Sequence, residues 1–136
     1  LVMSTLHTNT AYQTITRIVQ VFPAEQQDQI RMQLSMVLEG IICQSLVPRA
    51  DGNGRALAYE LMYPNDSIRN LIRENKLFQI ASAMMVGQDQ SGMVLFNQSL
   101  VSLVRRRLVS IDDALEVSPD PEELAKMLAD LQRKAG

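Results

Sequence analysis

The sequence has no tryptophan, one cysteine, one histidine and few other aromatic residues. A single cysteine excludes an internal disulfide and any zinc site built on several thiolates. Cys43 therefore reads as a buried, reduced small hydrophobe, in keeping with the cytoplasm. Scarce aromatics argue against a base-stacking platform. Neither sign of charge dominates: 13 Lys and Arg stand against 15 Asp and Glu, a formal net of -2. Such a balance points neither to nucleic acid nor to a membrane surface. The longest apolar run, Ile41-Ile42-Cys43, lies between Gly40 and Gln44, so no segment is built to cross a bilayer. A G-x-x-x-x-G-K-[ST] phosphate loop is also missing; Gly52 and Gly54 are the nearest glycine pair, and no Lys-Ser or Lys-Thr follows them. The sequence opens inside an apolar run, Leu1-Val2-Met3, with no signal peptide or polar leader. We read it as the carboxyl-terminal piece of a longer protein. At 136 residues it suffices for one modest domain or half of a larger one.

What is present is strong periodicity. Residues 1–6 read as a strand buried on both faces, as in a parallel sheet. Thr10-Ala11-Tyr12-Gln13 has the form of a capping box, and Ile15, Ile18, Val19 and Phe22 share one face of the helix that follows. Pro23 suits the first turn of a second helix, whose stripe runs through Ile30, Leu34, Val37, Leu38, Ile41 and Ile42. Gly40 falls inside that helix and marks a close approach of a neighbour. Residues 44–49 and 55–63 read as a β-hairpin around the turn Ala50-Asp51-Gly52-Asn53-Gly54, with Leu57, Tyr59, Leu61 and Tyr63 on one face. Pro64-Asn65-Asp66 ends the second strand and caps the next helix. From there the chain is helical. One helix carries Leu77, Ile80, Ala81 and Met84; residues 87–92 form a flexible loop; another carries Phe96, Leu100, Leu103 and Val104 and ends in Arg105-Arg106-Arg107. A short helix starts at Ser110, residues 118–121 form a rigid linker, and a last helix holds Leu124, Leu128 and Leu131.

Two places carry chemistry. His7 sits just past a strand end, where parallel sheets bind ligands. There an imidazole either bonds to backbone or donates to a phosphate. In the stretch 67–74, Ile68, Leu71 and Ile72 form an apolar stripe, Arg69 and Arg73 a second face, and Asn70 and Glu74 a third. A packed helix needs only the stripe. The arginines are either a solvated surface or a working one. Arg17, Arg31, Arg49 and Arg55 are each by default a surface residue.

The stretch 67–74 closely resembles the Ala-Ile-Arg-Asn-Leu-Ile-Arg-Glu signature of type IV pilus retraction ATPases, with Ser67 in place of the leading alanine. Ser4-Thr5-Leu6-His7-Thr8-Asn9 resembles the His box of the wider secretion and pilus ATPase superfamily. The order of segments matches over almost the whole chain; only the helix after Pro121 falls on a less defined part. The resemblance implies an α/β fold: residues 1–64 as the end of a RecA-like P-loop ATPase core, 65–117 as an all-helical subdomain with the signature helix, and 118–136 as linker and last helix. It implies that His7 contacts or senses the γ-phosphate, that Thr5 and Thr8 line the nucleotide site, and that residues 68–74 couple nucleotide state to retraction. Only this resemblance to ring ATPases makes Arg17, Arg31, Arg49 and Arg55 candidates to neutralise phosphate charge on a neighbouring subunit. It implies a homohexameric motor using ATP and magnesium, cytoplasmic and peripheral to the inner membrane, working on a platform protein of the pilus base, with no nucleic acid and no membrane insertion. The metal-binding and water-positioning carboxylates of the family lie upstream, so the chain alone is expected to bind no cofactor or metal and to be inactive. Pilus-extension and type II secretion ATPases usually carry a four-cysteine zinc insertion where this sequence has only residues 50–54, and they lack the signature helix. A second retraction-type paralogue departs from the 68–74 string. A non-enzymatic helical interaction module is the alternative from another class.

Overall fold

The computed structural model describes residues 1–135. Helix α1 (Ala11–Gln20) leads through a 3-10 turn at Ala24–Gln26 into α2 (Gln27–Val37). Strands β1 (Ile41–Pro48) and β2 (Arg55–Met62) pair antiparallel, with Ile41 opposite Met62 and Pro48 opposite Arg55. Then come α3 (Asp66–Arg73), a 3-10 turn at Leu77–Gln79, α4 (Ile80–Met85), the one-turn α5 (Gln88–Ser91), α6 (Phe96–Arg105), α7 (Ile111–Val117) and α8 (Pro121–Ala135). The result is a helix-rich α/β arrangement around one hairpin.

Sequence signals explain the boundaries. Thr10 Oγ1 accepts from the Gln13 amide at 3.2 Å, and the Gln13 side chain reaches back to the Asn9 amide at 3.1 Å. Asn65 caps α3 by accepting from the Ile68 amide at 2.9 Å, and Ser110 caps α7 by accepting from the Asp113 amide at 3.1 Å. Helix α3 ends on Asn75 at φ 56, with the Lys76 amide bonded back to Leu71 O at 2.9 Å, the six-to-one closure of a left-handed C-terminal cap.

Two hydrophobic clusters sit on the inner face of the hairpin. The first joins Ala11, Ile15 and Val19 of α1 to Ile41, Cys43 and Met62 of the strands and to Ile68, Ile72, Leu77, Ile80, Met84 and Met93 beyond them. This cluster runs continuously across residues 64–66. The second joins Val47, Ala56 and Ala58 to Phe96, Leu100 and Leu103, and to Ala114, Leu124 and Leu128 of the last helices. Asn97 fastens that end: its amide nitrogen donates to Asp120 O at 3.0 Å and to Glu123 at 2.6 Å, while its oxygen accepts from Ser118 at 2.6 Å.

Three expectations are corrected. Residues 1–8 form no strand, and Leu1, Val2 and Met3 are exposed. A doubly buried strand needs neighbours on both edges, and among the described residues no strand flanks this run. Helix α2 stops at Val37, because Leu38 turns extended at ψ 123 and the β-branched Ile41-Ile42 pair starts β1. Gly40 therefore lies between the elements, with space for a Cβ at an ordinary 3.5 Å from Met62 O and the Tyr63 ring. The alternation in β2 resolves into an inner face of smaller side chains. Ala56, Ala58, Glu60 and Met62 point inward, while Leu57 is 48% and Ile42 70% exposed. Small residues win the inner face because α6 lies directly against β2. Finally, residues 87–92 hold a helical turn between two left-handed glycines, Gly87 at φ 68 and Gly92 at φ 69. Gln88 secures it, donating to Met93 O at 2.8 Å and pairing with Gln98 at 2.5 Å.

The two faces of the hairpin make a direct test. Met62→Ala should lower unfolding free energy by about 2–5 kcal/mol, as for other buried large-to-small changes, whereas Leu57→Ala should change it by about 0.5 kcal/mol. Denaturant titration of the two variants checks this, and equal losses would place Leu57 in the core.

Candidate functional site

The segment entering α1 and the first turns of that helix form one side of the candidate site. His7, Thr8, Tyr12, Gln13, Thr16, Arg17 and Gln20 line an open cleft of about 340 Å³. Arg17 is the fixed point: its guanidinium donates to the His7 backbone oxygen at 3.0 Å. This bond holds the segment against the helix and leaves the exposed imidazole free to face solvent. The lining comprises imidazole, hydroxyl, amide and guanidinium groups without a carboxylate. That donor set suits an anion and lacks the carboxylates on which sites for hard divalent cations are usually built. Among the described residues no group of three or more His, Cys, Asp or Glu side chains comes close enough to hold a metal.

Thr8 is tied inward. Its hydroxyl lies 2.7 Å from that of Thr14, which donates its single proton to Thr10 O at 2.9 Å. The Thr14 oxygen must then accept from Thr8, and also from the Cys43 thiol at 3.6 Å. In this arrangement Thr8 has no proton left for a phosphate. Burial pushes the Cys43 thiol above its usual range, against the Thr14 contact, so the cysteine is inert here rather than nucleophilic. Thr5 lies in the exposed leading segment, apart from the cleft lining.

Cys43 faces Glu60 across the hairpin, and Glu60 is the functional group that the sequence did not disclose. It is 5% exposed, yet it carries a carboxylate between two helix starts. One oxygen accepts from the Ala11 amide at 2.6 Å and the other from the Phe96 amide at 3.2 Å. These are the first residues of α1 and α6, whose N-terminal dipoles favour negative charge. Burial raises the Glu60 carboxyl above the ordinary range, opposed by the two backbone bonds. The available signal was an acidic residue at an inward position of the alternation Ala56, Ala58, Glu60, Met62.

The other arginines separate. Arg31 lines a second cleft of about 310 Å³ with Tyr12, Thr16 and Phe78. Its side chain is 11% exposed and paired with Asp28 at 2.5 Å. Within that cleft wall the Arg31 Nε and Thr16 Oγ1 atoms are buried without partners. Arg49 is paired with Asp51 at 2.7 Å, which holds the aspartate down at a pKa of about 2, and Arg55 reaches back to Leu46 O at 3.4 Å. Both stand at the turn end of the hairpin, away from His7.

Helix α3 uses its two arginines differently. Ile68 and Ile72 are fully buried and Leu71 partly so. Arg69 lies over the end of α2, donating to Ser35 O at 2.7 Å and Met36 O at 3.3 Å. It thereby satisfies carbonyls that the helix end leaves open and complements the negative end of the dipole. Arg73 stays on the surface, bonded to Asn70 at 3.2 Å; Asn70 donates to Glu74 at 3.0 Å, and Glu74 pairs with Lys76 at 2.7 Å. Lys76 first, then Asn70, draws the Glu74 carboxyl below its usual range.

A family profile described as Type II/IV secretion system protein matches residues 1–116. The chain is 44% identical over 125 residues to a twitching motility protein of Neisseria gonorrhoeae, covering 92% of this chain and 33% of that protein. It is 43% identical over 122 residues to the type IV pilus retraction ATPase PilT of Pseudomonas aeruginosa, covering 90% of this chain and 35% of the relative. The crystal structure of the pilus retraction motor PilT with bound ADP superposes at a TM-score of 0.77 and 54% identity, covering 89% of this chain and 33% of that one. The chain therefore belongs to the Type II/IV secretion system protein family. It spans about a third of the length of the curated relatives it matches.

Two outcomes follow from this geometry. Arg69→Ala should cost about 1.5–3 kcal/mol of stability, the range for hydrogen bonds to a charged group, and Arg73→Ala should stay within about 0.5 kcal/mol. Equal effects in denaturant titration would remove the assigned bond to α2. For Glu60 the folded carboxyl is raised, so the folded state binds more protons than the unfolded one. Its contribution to stability is intact below the ordinary carboxyl range and is lost as pH climbs through the folded value. Unfolding curves taken upward from pH 4 should show this decline, and Glu60→Gln should flatten it.

Proposed function

We propose that the chain is the carboxyl-terminal part of a motor ATPase that retracts type IV pili, with ATP turnover in the parent protein driving pilin removal. Supporting this reading are relatives named for twitching motility and pilus retraction, the intact 68–74 string, and the convergence of His7, Thr8 and Arg17 on one anion-suited cleft. The last is the observation that carries it. An imidazole whose own backbone is held by a guanidinium presents a ring donor beside a fixed positive charge, an arrangement fitted to a terminal phosphate. His7 would contact the γ-phosphate. Arg17 would set the segment in place and add its field from within the same subunit. Thr8 would have to release Thr14 before donating to a phosphate, so its availability would report on the state of the segment.

The phosphate loop and the magnesium-binding carboxylates would come from the rest of the parent, because the cleft itself carries no carboxylate. The isolated chain would therefore bind nucleotide weakly and hydrolyse none. The parent would work as a homohexamer against a platform protein at the inner membrane, with Asn70, Arg73 and Glu74 forming the polar contacts of the stroke. Arg31, Arg49 and Arg55 are engaged within the chain and are weaker candidates for a role across a subunit boundary. Among the described residues no helix is long and apolar enough to cross a membrane.

His7→Ala in the parent should lower ATP turnover by about a hundredfold, the lower end for a positioned donor, while ring assembly measured by light scattering is unchanged. Arg73→Ala should impair retraction with the melting temperature unchanged. Full turnover in the first variant, or full retraction in the second, would defeat the corresponding role.

A further inference from the structure

We infer that Glu60 is a positioning residue that couples the His7–Thr8 end of α1 to the start of α6. The inference rests on the functional reading above and takes it further into the fold. Ala11, whose amide holds one Glu60 oxygen, follows His7 by four residues and starts the helix that carries Arg17. Phe96, whose amide holds the other oxygen, starts the helix that packs on β2 and fastens the last helix through Asn97. Each oxygen serves one helix, so neither helix start can move alone. A shift of α1 on loss of the terminal phosphate must either carry α6 with it or leave a buried amide and a carboxylate oxygen unpaired. A second contact runs parallel to this one: Thr8 bonds to Thr14, and Thr14 to Cys43, which faces Glu60 in the strand register. Displacement of Thr8 toward a phosphate would therefore be felt on the same stretch of hairpin. The carboxylate makes no contact with the cleft, so it acts through α1 and not on nucleotide directly.

The experiment uses the full-length parent. Amide hydrogen exchange at Ala11 and Phe96 is followed with and without nucleotide, beside ATP turnover, KM and melting temperature. In the wild type, nucleotide should slow exchange at both amides. Glu60→Gln keeps the shape but puts an amide donor against one backbone donor. It should confine protection to one helix start and lower kcat about tenfold, within the usual span of coupling between sites, with KM within about twofold. Ala11→Pro serves as a second variant. The first helical position favours proline, and Thr10 before it is already extended at φ -137, ψ 156, so the backbone fits the ring. The donor to Glu60 is removed, and the ring adds volume at a buried position whose cost the melting temperature reads. It should uncouple Phe96 in the same way. Should Glu60→Gln fail to fold, Ala11→Pro decides the matter. Wild-type kcat together with intact nucleotide-linked protection at Phe96, in either folded variant, overturns the inference. A wild-type parent that turns over no ATP is a distinct result: it overturns the functional reading, and the inference with it.

Discussion

The Glu60 carboxylate takes the first backbone N–H of α1 on one oxygen and that of α6 on the other, and the two hydrophobic clusters meet around it. Burying a charge costs several kcal/mol after relaxation, which a single pair of hydrogen bonds does not offset by itself. Two helix dipoles aimed at the same group add about 0.3–1 kcal/mol each, more where the geometry is partly buried. The balance is close, and the raised carboxyl of Glu60 records that desolvation weighs more than the bonds. What the arrangement secures is register. With one side chain serving two helix starts, α1 and α6 can occupy only one relative position without leaving polar groups unpaired.

Other contacts extend from that junction. The backbone pair Leu61–Val94, at 2.9 Å in both directions, and the Tyr59 amide to Ser99 bond at 3.1 Å continue along β2 and hold the start of α6 against the strand. At the opposite end of the hairpin, the Ala50 amide donates to Leu108 O at 2.9 Å and ties the turn to the segment after α6. The hairpin is thus braced at both ends. Its outer face, with Ile42, Leu46, Leu57 and Tyr59, stays open.

The sequence disclosed what depends on local chemistry. Caps at Thr10, Asn65 and Ser110, the hairpin turn and the apolar stripe of α3 are all set by neighbours within four residues, and all were readable. Whatever depended on distant partners was not. The alternation in β2 gives two candidate faces without saying which is buried; only the closeness of α6 selects Ala56 and Ala58. Residues 1–6 read as a buried strand because composition reports hydrophobicity and not the presence of flanking strands. The Ile30-to-Ile42 stripe overran α2 because helix and strand periods both place apolar residues four apart, and Leu38 changes conformation without a distinctive residue type. In the site, His7 drew notice as the one histidine past a run read as a strand, a strand that does not form, whereas the Arg17 bond to its backbone and the place of Glu60 could be recognised only once the helix starts had been brought together.

Helix α3 shows why equal spacing does not mean equal role. Arg69 and Arg73 are one turn apart, but a step of four residues on a helix of 3.6 per turn rotates the side chain by roughly 40°. That rotation is enough for Arg69 to reach the carbonyls ending α2 while Arg73 stays over solvent. Arg69 and the buried Ile68 and Ile72 then make α2 and α3 one rigid unit, whose first hydrophobic cluster includes the inner face of α1. The exposed Arg73, Asn70 and Glu74 surface is thereby joined to α1, and through the Arg17 bond to the His7 segment, by continuous packing. Arg69 belongs to the packed joint between α2 and α3, and Arg73 to the exposed face of α3. For this reason the two residues must be judged by different measurements, stability for one and work output for the other.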